Sequence, residues 1–235
     1  MKPILFTISL FFTFILSAQE YNQMDENGKR HGEWQKTFDN SKILRYEGQF
    51  NHGKPVGEFK FYEAINNKGV LIAKRIFNEV DDLAQVTFYT AKGNVIGEGK
   101  MRDKTYVGEW KYYHKDSKQL MSQEFYNNEG KLNGKKTVYY LSGSIAETTN
   151  YVNGSLEGES IAYSEKGKIL RVETYKNNMF HGLYKTYDLS GNLLSEGNYF
   201  NDLRKGIWKF YKDGKLVEEK DLTKKSKNPY TKDKK

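Results

Sequence analysis

Apolar and polar residues alternate in short runs along this chain, and the runs recur in a unit of about 24 residues. Each unit opens on a small anchor: Gly32, Gly57, Ala84, Gly108, Gly134, Gly158, Gly182 or Gly206. In most units a bulky residue follows two positions later. A tyrosine follows five positions later in all but the first unit: Tyr62, Tyr89, Tyr113, Tyr139, Tyr163, Tyr187 and Tyr211. The first unit has Thr37 there, with Phe38 one place on. Self-similarity at a period of 20 to 50 residues marks a stacked array, in which each unit buries its apolar side only against its neighbours.

The run after each anchor, as in Gly108–Tyr113 or Gly206–Tyr211, is aromatic-rich and alternating, which predicts a strand. A glycine-containing turn follows, such as Lys92-Gly93-Asn94, Ser190-Gly191-Asn192 or Asp213-Gly214-Lys215. A second run opens on an aliphatic residue (Val95, Ile145, Ile169, Leu193, Leu216) and ends on an aromatic such as Phe50, Phe125, Tyr151, Tyr175 or Tyr199. Polar pairs such as Asn153-Gly154 and Asn201-Asp202 then turn the chain back. The fold class is therefore all-β: an elongated antiparallel β-hairpin repeat array of about eight repeats, a single-layer twisted meander. Two strands per unit at about 4.8 Å advance the sheet about 10 Å per repeat, or about 80 Å in all. The longer spacings at 69–84 and 119–134 predict a loop or bulge in each place.

The pleat sorts the residues by face. Positions two and four after the anchor (Phe59 and Phe61, Val86 and Phe88, Trp110 and Tyr112, Trp208 and Phe210) share the side expected to be buried. Positions one and three carry Glu33, Glu58, Glu109 and Glu159, then Lys60, Lys111, Lys185 and Lys209, the pattern of a wet face. Strict alternation puts the tyrosine at position five on the wet face, where it could be a binding platform. A bulge or the turn itself would swing it inward into a structural role.

Composition agrees with an array: 37% of residues are hydrophobic while 15% are aromatic. Residues 1–18 stand apart, with Lys2, an apolar run from Ile4 to Leu16 and the small pair Ser17-Ala18, and read as a secretory signal peptide. The alternative is a membrane anchor, but the run is shorter than the roughly 20 residues a spanning helix needs. A leader at 19–26, the array at 27–222 and a basic disordered tail at 223–235 complete the organisation. The chain carries +8 overall, but the tail alone holds six lysines against one aspartate, so the array is close to neutral and no nucleic-acid partner is expected.

Candidate chemistry is sparse. There is no cysteine, hence no disulfide and no thiolate nucleophile. His31 and His181 precede anchors six repeats apart, about 60 Å by strand spacing, so they cannot share a metal within one chain. Neighbouring position-one glutamates lie about 10 Å apart, too far for a retaining glycosidase pair. No catalytic triad, phosphate loop or metal motif is present, and the expectation is a non-enzyme without metal or cofactor.

The units GEFKFY, GEWKYY, GLYKTYDLSGNLLSEGNY and GIWKFYKDGKLVEE resemble the bacterial variant of the MORN (membrane occupation and recognition nexus) repeat, over about residues 27 to 222. That resemblance implies a β-hairpin array and a protein-interaction or scaffold function. With the signal peptide, it implies an exported protein, periplasmic or extracellular, whose partner is another envelope or extracellular protein. A glycan-binding module using exposed aromatics is one alternative, and an antitoxin or immunity-type protein is another. The candidate contact residues are Tyr113, Tyr139, Tyr163 and Tyr187, whose regular placement on a wet face suits an interface.

Overall fold

The computed structural model describes residues 20–223. The segment 1–18, expected to be a signal peptide, and all but Thr223 of the basic tail lie outside the described residues. Seventeen strands follow one another: β1 (Gln23–Met24), β2 (Arg30–Thr37), β3 (Leu44–Asn51), β4 (Lys54–Ile65), β5 (Lys68–Phe77), β6 (Leu83–Tyr89), β7 (Val95–Arg102), β8 (Thr105–Tyr113) and β9 (Leu120–Tyr126). The second half holds β10 (Gly134–Tyr139), β11 (Ile145–Val152), β12 (Ser155–Tyr163), β13 (Ile169–Lys176), β14 (Met179–Tyr187), β15 (Leu193–Phe200), β16 (Leu203–Lys212) and β17 (Lys215–Asp221). Each strand pairs antiparallel with the next in sequence, so the meander forms one open sheet with no helix among the described residues. Sixteen spacings of about 4.8 Å give a length of about 77 Å.

The turns follow the residue types that permit positive φ. Asn153-Gly154 (φ 47° and 88°) and Asn201-Asp202 (46° and 63°) close two-residue hairpins. At the opposite ends of the strands the loops are longer and close by a three-residue reach, as where the Gly93 amide donates to the Thr90 carbonyl at 2.9 Å. Both irregular units are accounted for. Asn127–Lys131 forms a longer loop between β9 and β10, and residues 78–82 form another in which the Asn78 side chain accepts from the Val80 and Asp81 amides, each at 2.8 Å.

Most anchor glycines sit at a break in register. In β12 three residues around Gly158 (φ 83°) face one residue of β11, which no L residue would do without strain. The anchor that is not glycine confirms the reason: β5 and β6 pair from Ala73↔Phe88 to Phe77↔Ala84 without a shift, so Ala84 needs no unusual backbone.

One face carries the packed side chains. Phe59, Val86, Trp110 and Trp208 at position two are buried as expected, Trp110 completely. They are buried in a single layer because aromatic neighbours close over them. Tyr106 approaches the Trp110 ring at 4.2 Å, with Phe88 at 5.8 Å and Tyr112 at 6.0 Å. Underneath, the ring lies on glycine: a Cβ on Gly99 would overlap the indole of Trp110, and the same holds for Gly48 under Phe59 and Gly197 under Trp208.

In the middle of the sheet the expected buried stripe changes character. Position two is Lys136 in β10 and Ser160 in β12, and the row continues through Glu124, Thr149 and Glu173. These groups satisfy one another. Glu124 pairs with Lys136 at 2.8 Å and accepts from the Tyr126 hydroxyl at 2.6 Å, while Glu173 pairs with Arg171 at 2.8 Å and accepts from Tyr175 at 3.0 Å. The same face also shows that Tyr126, not Phe125, is the aromatic equivalent to Tyr151, because Tyr126 pairs with Gly108 as Tyr151 pairs with Gly134.

Candidate functional site

The opposite face carries the charged lattice. Glu58 lies between Lys60 (3.6 Å) and Lys74 (3.1 Å), and Lys185 reaches Glu196 at 3.1 Å. Such half-exposed pairs contribute up to about 1 kcal/mol each and mainly keep the face soluble.

The position-five tyrosines lie on this charged face. A bulge does occur at each of them, but the extra residue is in the following strand: Val138 pairs with Glu147 and Tyr139 with Ile145, leaving Ala146 unpaired. The tyrosine therefore keeps its side of the sheet. It leans back over the preceding strand. The Tyr113 hydroxyl donates to Glu98 at 2.5 Å, Tyr62 to Glu47 at 2.6 Å and Tyr211 to Glu196 at 2.7 Å. Burial, with the Glu98 carboxylate second, pushes the Tyr113 hydroxyl up to about 12. At Glu196 the Tyr211 hydroxyl, with Lys185, holds the carboxyl below the usual range.

The four candidate tyrosines occupy equivalent positions on β8, β10, β12 and β14, and all are half-buried, but their hydroxyls differ. Tyr113 is tied to Glu98, and Tyr139 donates weakly to Gln123 at 3.4 Å. The hydroxyls of Tyr163 and Tyr187 have no hydrogen-bond partner among the described residues. The reason lies in the preceding strand. Where Tyr113 meets Glu98, the matching residues beneath Tyr163 and Tyr187 are Thr148 and Val172, paired with Ile161 and Lys185. From β10 to β14 the charged face thus becomes Thr137, Thr148, Ile161 and Val172.

Each tyrosine also has a direct cross-strand partner that is aliphatic: Tyr113↔Leu120, Tyr139↔Ile145, Tyr163↔Ile169 and Tyr187↔Leu193. Tyrosine and aliphatic residue alternate strand by strand into a continuous stripe along the long-loop edge. In its C-terminal half Ile145 is 40% and Ile169 36% exposed, and Leu141 and Leu189, in the loops that follow Tyr139 and Tyr187, are 61% and 76% exposed. A depression of about 540 Å³ opens on the same stripe further back, between Val95, Glu98, Tyr113 and Asp116. The aliphatic members were visible in the sequence as strand openers. Their alignment with the tyrosines depends on the bulge register, which the sequence pattern does not disclose.

Elsewhere, His52 Nδ1 lies 2.6 Å from Asp25 and its ring 4.7 Å from His31, a contact between two neighbouring turns. No group of three metal-ligating side chains occurs among the described residues. Trp110 and Trp208 are too buried to stack on a ligand, which removes them from any aromatic binding platform.

Three consecutive segments match the MORN repeat variant: residues 132–153, 156–177 and 180–201. No curated protein matches the chain. The matched segments coincide with the hairpins β10–β11, β12–β13 and β14–β15, and their boundaries fall at the tight turns. MORN repeats are generally modules of protein or membrane interaction. The segment 132–201 thus carries three tandem repeats of the MORN variant, set inside an uninterrupted β-hairpin meander.

Proposed function

We propose that this is an exported, non-enzymatic interaction module that binds another envelope or extracellular protein through the charged face of its C-terminal half. The observation that carries this reading is the change along the tyrosine row. Tyr62, Tyr113 and Tyr211 spend their hydroxyls on glutamates, whereas Tyr163 and Tyr187, like Tyr89 further back, have no hydroxyl partner among the described residues, and Tyr163 faces the exposed Ile169 across its hairpin. A half-exposed tyrosine with an unused hydroxyl and an apolar neighbour is the kind of residue that dominates protein interfaces. Export is supported by the apolar segment Ile4–Leu16 and the small residues after it.

The test is site-specific photo-crosslinking in the native host, with the photoreactive residue at Ile169 on the stripe or at the exposed Lys220 on the packed face. A defined adduct from Ile169 and none from Lys220 is expected. Adducts from Lys220 alone, or equally from both, would place the interface elsewhere.

A further inference from the structure

The stripe has a pitch, and the pitch restricts what can lie along it. From β10 to β15 it runs Tyr139, Ile145, Tyr163, Ile169, Tyr187, Leu193, one apolar side chain per strand. Successive strands are about 4.8 Å apart, so like residues recur about every 9.6 Å. An extended peptide lying across the strands would present a side chain to the sheet about every 6.6 Å, which matches neither spacing. An α-helix with apolar residues alternately three and four apart presents one about every 4.5 to 6 Å, and repeats every seven residues, about 10.5 Å.

We propose that the stripe is the docking track for an amphipathic helix with a heptad pattern, laid across the strands so that one heptad engages one repeat. This rests on the interface assigned to the charged face above. Five strand intervals span about 24 Å, which corresponds to a helix of about 16 residues. Sheet twist turns the stripe away from a straight axis over longer distances, which sets an upper length of a few strands. Strand addition, the other way a sheet captures a peptide, would use the outer edge of β17. That edge carries Lys215, Glu218, Glu219, Lys220 and Asp221, all exposed, the kind of charge that discourages edge pairing. The stripe itself carries no charge at its six contact positions.

The probe is a fluorescent 16-residue peptide with leucine at the first and fourth heptad positions and Glu or Lys elsewhere, compared with a peptide of identical composition carrying its leucines at alternate positions. Binding to the full chain is read by anisotropy. The heptad peptide should bind at least tenfold more tightly, and gain helicity on binding. Ile169→Glu should weaken it at least tenfold, with circular dichroism showing the sheet intact, while Lys220→Glu leaves it unchanged. Equal binding of the two peptides, or heptad binding indifferent to Ile169→Glu, overturns the helical track. If neither peptide binds while crosslinking at Ile169 still captures a partner, the helical occupant is wrong and the interface stands.

Discussion

Trp110 and Gly99 should behave as one unit, because the indole lies flat on the backbone where Gly99 has no side chain. Trp110 is fully buried, and a buried aromatic of this size removes roughly 150 to 250 Å² from water, worth about 4 to 6 kcal/mol at 25 cal/mol per Å². Its Nε1 also donates to the Lys100 carbonyl at 2.9 Å, adding about 1 kcal/mol. Tyr106, Phe88 and Tyr112 can partly close the gap in a single-layer sheet, so Trp110→Ala is expected to cost about 3 to 5 kcal/mol. Gly99→Ala pushes a methyl into the ring and should cost about 2 kcal/mol or more with Trp110 present. In the Trp110→Ala background that methyl meets open space, and Gly99→Ala should then cost under about 0.5 kcal/mol. Urea unfolding of the four proteins, followed by far-ultraviolet circular dichroism, gives the coupling directly. Additive effects at the two sites would refute the slot, and a cost for Trp110→Ala no larger than for Lys209→Ala on the charged face would refute the assignment of faces.

Gly206→Ala should destabilise by about 1 to 2 kcal/mol, because its φ of 74° is hostile to an L residue although nothing lies within 4 Å of the new Cβ; Ala84→Gly should cost under about 1 kcal/mol. Equal costs in thermal or urea unfolding would show that the anchors are kept small for space rather than for backbone shape. Tyr113→Phe removes the hydroxyl from Glu98 and should cost about 1 kcal/mol, whereas Tyr163→Phe should change stability by under about 0.5 kcal/mol; the reverse order would contradict the division of the tyrosine row. The Glu196 carboxyl is held below its ordinary value of 4.5, so its stabilising contribution is complete above that value and is lost as pH falls through its folded-state pKa. Glu196→Gln should therefore lose less stability than the parent between about pH 6 and pH 3, and parallel acid profiles in urea titrations would rule this linkage out.

The fold was legible in the sequence because one period repeats eight times and each copy carries the same turn and strand signals. What escaped was register. The glycine slots show why: Gly48, Gly99 and Gly197 each lie eleven residues before the aromatic they accommodate, Phe59, Trp110 and Trp208. A glycine inside a strand reads locally as a weakness, and only its pairing across the hairpin reveals it as a seat for a ring. Where position two is Ser160 or Tyr184, the residue eleven places earlier is Thr149 or Glu173, so the glycine accompanies Phe59, Trp110 and Trp208 and is absent opposite these two. The same limit applied to the candidate site. Equal spacing made Tyr113, Tyr139, Tyr163 and Tyr187 look interchangeable, yet what separates them is whether the residue beneath is Glu98, Gln123, Thr148 or Val172. A repeat can thus hold one backbone geometry throughout while a substitution on the neighbouring strand decides whether its tyrosine closes a structural hydrogen bond or leaves the hydroxyl available to a partner.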